Sequence, residues 1–324
     1  MSWFEPMPVR LLTLGLPADT LKEAVLTGLS GQPKRIPPKY FYDSEGSRLF
    51  EAICRQPEYY LTRAETALLQ AEAEAIARCI GTVACMIEPG AGCCAKARLL
   101  LGKLEAASYW PVDISGEALS EAASRLSAEH PALDVTAVHL DFTAADGFAP
   151  LLPHLPATGR RLVYYPGSSI GNAGLAEAVA LLKAFRTLAG ADGGLLIGFD
   201  LKKEPARLHA AYNDAAGVTA AFNRNLLVRM NHELGADFRP DGFDHYAFYN
   251  PAEGRIEMHL VSRVRQQVTV AGVAVMFEAG ESLHTENSYK YTPQEFDALA
   301  KEAGFAREAG WRDGEGLFAV QYYV

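Results

Sequence analysis

Apolar positions in AETALLQAEAEAIARCI, residues 64–80, recur at helical spacing and predict a helix. From Thr82 the period changes. TVACMIE is a short continuous apolar run and reads as a buried strand that ends in PGAG at 89–92, with a helix following over about 94–104. SYWPVDIS is a second strand ending at Asp113, before a helix over 116–128 with Ser115 as its candidate cap. DVTAVHLDF is a third strand ending at Asp141 and Phe142. RLVYYP is a fourth, running into GSSIGN at 167–172; a helix over 173–189 leads to a fifth, GLLIGFD, ending at Asp200. Strands alternating with helices of this length are the signature of a doubly wound parallel sheet, so the fold class expected is α/β and Rossmann-like.

The flanks follow other patterns. Thr20 and Glu23 are spaced as a capping box for a helix through Leu29, with Gly31 after its end. Pro33, Pro37 and Pro38 break any long element there. Residues 204–233 read as helical, and 243–278 alternate as an antiparallel sheet does. Thr292 and Glu295 open a helix over 292–305, and REAGWRD and LFAVQYYV read as two strands around a GEG turn. Residues 201–288 therefore read as a second, α+β domain inserted into a sheet domain over 61–200 that 289–324 completes.

Composition narrows the partners. The net charge of -9 argues against a nucleic-acid surface, and no Lys/Arg run exceeds the pair Lys202-Lys203. Cys54, Cys79, Cys85, Cys93 and Cys94 form no CxxC pair, which reads as a reducing compartment. The start, MSWFEPMPVRLL, lacks the basic and apolar stretches of a signal peptide, and no apolar run is long enough to span a membrane. The expectation is a soluble cytoplasmic protein without membrane contact or an obligate protein partner.

Chemistry concentrates at the strand ends. Glu88, Gly90, Gly92, Asp113, Asp141 and Phe142 each sit at or just beyond the C-terminal end of an expected strand, where open α/β sheets bind ligands. Glycines let the backbone turn tightly and approach a ligand. Asp113 is placed to accept from two ribose hydroxyls, and Asp141 from an adenine amino group with Phe142 against the ring. Glu88 faces a pyrophosphate badly but suits an adenosyl amino-acid zwitterion, and GxxxxGK[ST] is absent. Competing readings stay open: the glycines as turn formers, Asp113 as a helix cap, Cys93 and Cys94 as small packing residues.

The longer phrases carry a resemblance. YFYDSEGSRLFEAI, PEYYLTRAE, EPGAG, GSSIGN, AYNDAAGVTAAFNRN, RIEMHL and TENSYKY together resemble the histidine-specific methyltransferases of ergothioneine biosynthesis over nearly the whole chain. The resemblance implies a class I methyltransferase sheet domain and a substrate domain to which residues 1–60 also contribute. It implies transfer of three methyl groups from S-adenosylmethionine to the α-amine of L-histidine, giving hercynine, with no metal; since the sulfonium methyl is already activated, direct displacement by the neutral amine is the mechanism expected. Near the cofactor it places Tyr42, Gly90, Lys96, Asp113, Asp141 and Phe142. On the substrate side it gives Tyr59, as the catalytic candidate, with Asn172, Tyr212, Met258, Gly167 and Thr219. Glu286 and Ser288 match the pair that hydrogen-bonds the imidazole, and an extended TENS would put both on one face. Pro89, Cys93, Cys94 and His284 depart from the family pattern. Other roles compete for the same residues: Tyr59 as an interface aromatic, Asn172 as a helix cap, Tyr212 and Met258 as packing, Glu286 as a solvated acid. Methylation of tryptophan or tyrosine, or a non-catalytic adenosyl sensor, are the rival functions.

Overall fold

The computed structural model describes residues 9–14, 21–144 and 147–324. Thr20, the expected first cap, lies outside the described residues. In chain order the strands and α-helices are β1 (Arg10–Thr13), α1 (Leu21–Ser30), β2 (Lys34–Arg35), α2 (Ser44–Cys54), α3 (Tyr60–Ile80), β3 (Val83–Pro89), α4 (Ala95–Leu101), β4 (Ala106–Asp113), α5 (Gly116–Glu129), β5 (Asp134–His139), β6 (Arg161–Tyr165), α6 (Leu175–Ala189), β7 (Gly194–Asp200), α7 (Pro205–Tyr212), α8 (Val218–Leu234), β8 (Phe243–Asn250), β9 (Arg255–Ser262), β10 (Gln266–Val270), β11 (Val273–Phe277), β12 (Ser282–Tyr289), α9 (Pro293–Glu302), β13 (Arg307–Arg312) and β14 (Phe318–Tyr323). They divide into two compact units. One comprises Met1–Pro17, Ala64–Leu201 and Tyr291–Val324; the other comprises Ala18–Arg63 and Lys202–Lys290.

The first unit holds an eight-stranded sheet in the order β1-β5-β4-β3-β6-β7-β14-β13. β1, β5, β4, β3, β6 and β7 pair in parallel, and β14 joins antiparallel to β7. This is the doubly wound α/β architecture read from the sequence. Strand order reverses between β3 and β6, the kind of position where such sheets bind ligands. Every residue of β7 is buried, as expected of a central strand written as a continuous apolar run. Leu69 and Ile76 of α3, Ala97 and Leu100 of α4, and Leu119 and Leu126 of α5 share one core with Met86, Tyr109 and Leu162 of the strands. Thr292 and Glu295 do form a capping box that opens α9.

The second unit holds a four-stranded sheet, β2-β12-β9-β8, and a separate hairpin of β10 and β11. The alternation over 243–278 thus belongs to two sheets rather than one. The helical stretch 204–233 is also two helices. Asp214 breaks it, its carboxylate accepting from the backbone N–H groups of Val218 and Thr219, both at 2.7 Å, with Gly217 at φ +72°. The phrase FYDSEG folds for local reasons. Asp43 caps α2 by accepting from the Gly46 N–H at 2.6 Å. Gly46 is required by close approach, since a Cβ there would stand 1.7 Å from the Phe41 carbonyl oxygen. Asn225 of α8 donates to the same Asp43 carboxylate, which joins α8 to the start of α2. Among the described residues no helix is long and apolar enough to cross a membrane.

Candidate active site

In the sheet unit, β3 ends at Glu88 and Pro89 and the chain turns through Gly90 at φ +68° and Gly92 at φ +50°. Cys94, also in the left-handed region, then starts α4. Nothing stands within 4 Å of where a Cβ would project at Gly90 or Gly92, so the turn offers open space to a ligand. Asp113, at the end of β4, closes on this turn. Its carboxylate accepts from the Gly92 N–H at 2.9 Å and from the Ser115 N–H at 3.0 Å. It therefore braces two loops rather than capping α5, and Ser115 at the cap position makes no side-chain cap bond either. Burial pushes the Asp113 carboxyl up, against those backbone bonds. Asp141 accepts from the Thr143 N–H and hydroxyl, and Phe142 stacks on Phe148 with centroids 5.2 Å apart. Two carboxylates at adjacent strand ends, beside an open glycine turn, fit an adenosyl ligand with a ribose diol and an exocyclic amine.

Glu88 sits differently from its neighbours. It is 2% exposed and accepts a hydrogen bond from the Tyr109 hydroxyl. Burial pushes its carboxyl up to about 8, with Tyr109 and Lys96 pulling the other way. Lys96 is paired with Glu65 at 2.5 Å, and Glu65 also accepts from the Gly167 N–H at 2.8 Å. Gly167 is at φ +85°, and a Cβ there would press on the Lys96 ammonium at 2.9 Å. Glu65 was not among the sequence candidates; its partner lies 102 residues away, and nothing local signals that. Asn172 ends a short 3-10 turn, and α6 is capped by Gly174 with Glu177, so the Asn172 amide is not the cap.

In the second unit the aromatic candidates form a chain of ring contacts. Tyr42 meets Phe50 at 5.7 Å, Phe50 meets Tyr59 at 6.3 Å, and Tyr59 meets Tyr212 edge-on at 6.1 Å. Tyr59 is buried, and desolvation, followed by Tyr212, raises its phenol well above the ordinary range. That shift favours the protonated hydroxyl, a neutral donor rather than an anionic base.

β12 carries the polar candidates. Its pairing with β9 shifts register between His284 and Glu286, so that Glu286 lies opposite Met258 and Ser288 opposite Ile256. Glu286, Ser288 and Met258 consequently share one face. The Ser288 and Tyr212 hydroxyls share a hydrogen bond at 2.7 Å, and Lys290 donates to both, at 2.8 and 2.9 Å. Glu286 is buried, which pushes its carboxyl up to about 7 while the Lys290 charge draws it down. Thr219 sits in the first turn of α8, its N–H held by Asp214 rather than by this hydroxyl set. Lys290 was missed from the sequence although its spacing from Glu286 and Ser288 placed it in the same alternation.

The sequence candidates thus divide by unit. Glu88, Gly90, Gly92, Lys96, Asp113, Asp141, Phe142, Gly167 and Asn172 belong to the sheet unit, and Tyr42, Tyr59, Tyr212, Thr219, Met258, Glu286 and Ser288 to the other.

Comparison with known proteins agrees with this chemistry. Residues 21–324 match a family described as histidine-specific methyltransferase, SAM-dependent. The chain is 40% identical over 313 residues to a histidine N-alpha-methyltransferase of Mycolicibacterium smegmatis, covering 95% of each chain. It is 40% identical over 307 residues to the enzyme of the same name from Mycobacterium tuberculosis, covering 93% of each. It is 27% identical over 319 residues to a 4-dimethylallyltryptophan N-methyltransferase of Claviceps purpurea, covering 90% of this chain and 91% of that one.

Proposed function

The chain belongs to the histidine-specific, SAM-dependent methyltransferase family, and from that premise we propose that it methylates the α-amine of L-histidine, up to the trimethylated product. S-adenosylmethionine, when bound, supplies an activated methyl group, so direct displacement needs no covalent enzyme intermediate. Gly90, Gly92, Asp113, Asp141 and Phe142 are the residues proposed to hold it. The protein's own tasks are alignment, exclusion of water and keeping the amine unprotonated. Tyr59, with a hydroxyl that burial keeps protonated, is proposed to orient the amine. The Tyr212 hydroxyl, bonded to Ser288 and accepting from Lys290, is placed beside the imidazole-reading pair. Free thiols at Cys79, Cys85, Cys93 and Cys94 support a reducing, cytoplasmic setting.

The observation that carries the substrate assignment is the pair Glu286 and Ser288, both buried on one face of β12. A neutral imidazole offers one donor and one acceptor, whereas an indole offers a donor alone and a phenyl ring neither. Leaving a buried partner unsatisfied costs roughly 1 to 3 kcal/mol, and more if it is charged. Ser288 keeps Tyr212 and Lys290 as partners, so it is Glu286 that a phenyl ring leaves unpaired, and phenylalanine is rejected by chemistry rather than by volume. The test is Glu286→Ala in a competition assay with equal histidine and phenylalanine, both products read by mass. A large loss of kcat/KM for histidine is expected, with S-adenosylmethionine affinity unchanged and phenylalanine gaining relative to histidine. A folded variant that keeps the wild-type product ratio removes Glu286 from substrate recognition.

A further inference from the structure

The opposite face of the same two strands carries a second constellation. Glu257 and His259 alternate on β9 away from Met258, and His284 of β12 lies directly across from His259. The ligand atoms of Glu257, His259 and His284 all lie within 4.8 Å of one another. The two imidazole rings stand 5.0 Å apart, and Phe248 stacks on His259 at 5.7 Å. Outer hydrogen bonds orient these groups. Asn250 and Arg255 hold Glu257 Oε1 at 3.0 and 2.9 Å, while Oε2 turns to His259 at 3.2 Å. His284 Nε2 is 2.9 Å from Asn287 Oδ1, and His259 Nδ1 is buried without a hydrogen-bond partner. A groove of about 610 Å³, lined by Asp244, Tyr246, Phe248, His259 and Ser282 among others, gives access from this side.

We propose that Glu257, His259 and His284 form a site for one divalent transition-metal ion of the zinc class, clasping β9 to β12, with remaining positions left to water. Two imidazoles and a carboxylate are the donor set that zinc takes, and fixing ligands through outer hydrogen bonds is how such sites are set. Burial lowers the proton affinity of both histidines, which leaves neutral rings with lone pairs to offer. The Arg255 charge opposes a cation, but it engages the carboxylate oxygen that turns away from His259. The ion takes no part in methyl transfer in this proposal. It bridges the strands at the register shift between His284 and Glu286, so it fixes the backbone that presents Glu286 on the other face.

Tag-free, chelator-treated protein titrated with Zn²⁺ by calorimetry, and with Co²⁺ by absorption, tests this. One ion per chain is expected, with visible cobalt bands and no thiolate charge-transfer band. His259→Ala and His284→Asn should each weaken binding by more than about tenfold. His284→Asn keeps a polar side chain on the sheet should the alanine variant unfold. Amide exchange across β9 and β12 should slow on adding Zn²⁺ to wild type. The proposal is overturned by three results: no binding, a thiolate band from exposed Cys79 or Cys93, or an affinity that both histidine variants retain.

Discussion

Lys290 is 1% exposed, and its ammonium donates to Tyr212 and Ser288, two hydroxyls that already bond each other. A buried charge held this way orders its partners more than it stabilises the fold, because desolvation offsets the attraction. Lys290→Met keeps the volume and removes the donor. The expected outcome is a fall in kcat/KM for histidine of about 10- to 100-fold, from the roughly 1.5–3 kcal/mol of hydrogen bonds to a charged group. Melting temperature and S-adenosylmethionine affinity should hold. Steady-state kinetics beside calorimetry checks this, and unchanged kcat/KM would leave Lys290 as filler. At this scale the sequence was legible wherever a residue type is rare for its position. Acids at the ends of apolar strands are unusual, and Asp113 and Asp141 stood out. Lys290 and Glu65 did not, because lysine just past a strand and glutamate in a helix are ordinarily solvated, and their partners are set by tertiary approach.

Among elements, the parallel strands were the most legible, since each is an apolar run closed by a polar or glycine-rich turn. α2 and β1 were not anticipated. β1 is four residues on a sheet edge, and its partner β5 lies 126 residues on at their paired ends. α3 begins at Tyr60 rather than residue 64, and α4 ends at Leu101 rather than 104. β12 shows why alternation alone misleads. Strict period two would put His284, Glu286 and Ser288 on one face, but the register shift turns His284 to the other. The turn between β3 and α4 supports a prediction of its own. Asp113 fastens it through Gly92 and is also the proposed ribose acceptor. Asp113→Ala should weaken S-adenosylmethionine binding by roughly 10- to 100-fold, as a charge-assisted bond is lost and the turn loosens. Asp113→Asn keeps one acceptor and should fall between. Calorimetric titration of both variants decides it: equal affinity in folded Asp113→Ala would move the ribose elsewhere.

For the whole chain, the change of period after Asp200 falls where the Lys202–Lys290 segment of the second unit begins, whereas residues 1–60, expected from the resemblance to join that unit together, divide: β1 pairs with β5 in the sheet unit and Ala18–Arg63 belongs to the other, and no periodicity reports which unit a segment joins. Global stability then depends on a group the pattern could not price, Glu88. Its carboxyl is raised to about 8, by burial foremost, and it faces Tyr109, Lys96, Glu65 and Asp113, with Cys94 and Tyr164 also near. Unfolded, a glutamate titrates near 4.3. Between these values the folded chain holds a proton that the unfolded chain has lost, so unfolding free energy falls as pH rises. The contribution is full below the unfolded value and gone above the folded one, with a slope of up to about 1.4 kcal/mol per pH unit. Glu88→Gln stays neutral and still accepts from Tyr109, so it should lose this part of the slope. Cofactor-free wild type and variant should be similarly stable at pH 5, with the variant ahead by an amount on the order of a few kcal/mol near pH 8. Glu286, raised to about 7, acts in the same direction but is present in both proteins and cancels in the difference. Urea unfolding from pH 5 to 8 measures it, followed by tryptophan fluorescence, since Trp110 is buried in the same unit as Glu88. Parallel stability curves for the two proteins would mean that Glu88 is ionised in the folded chain, held so by Lys96 and Tyr109 despite its burial.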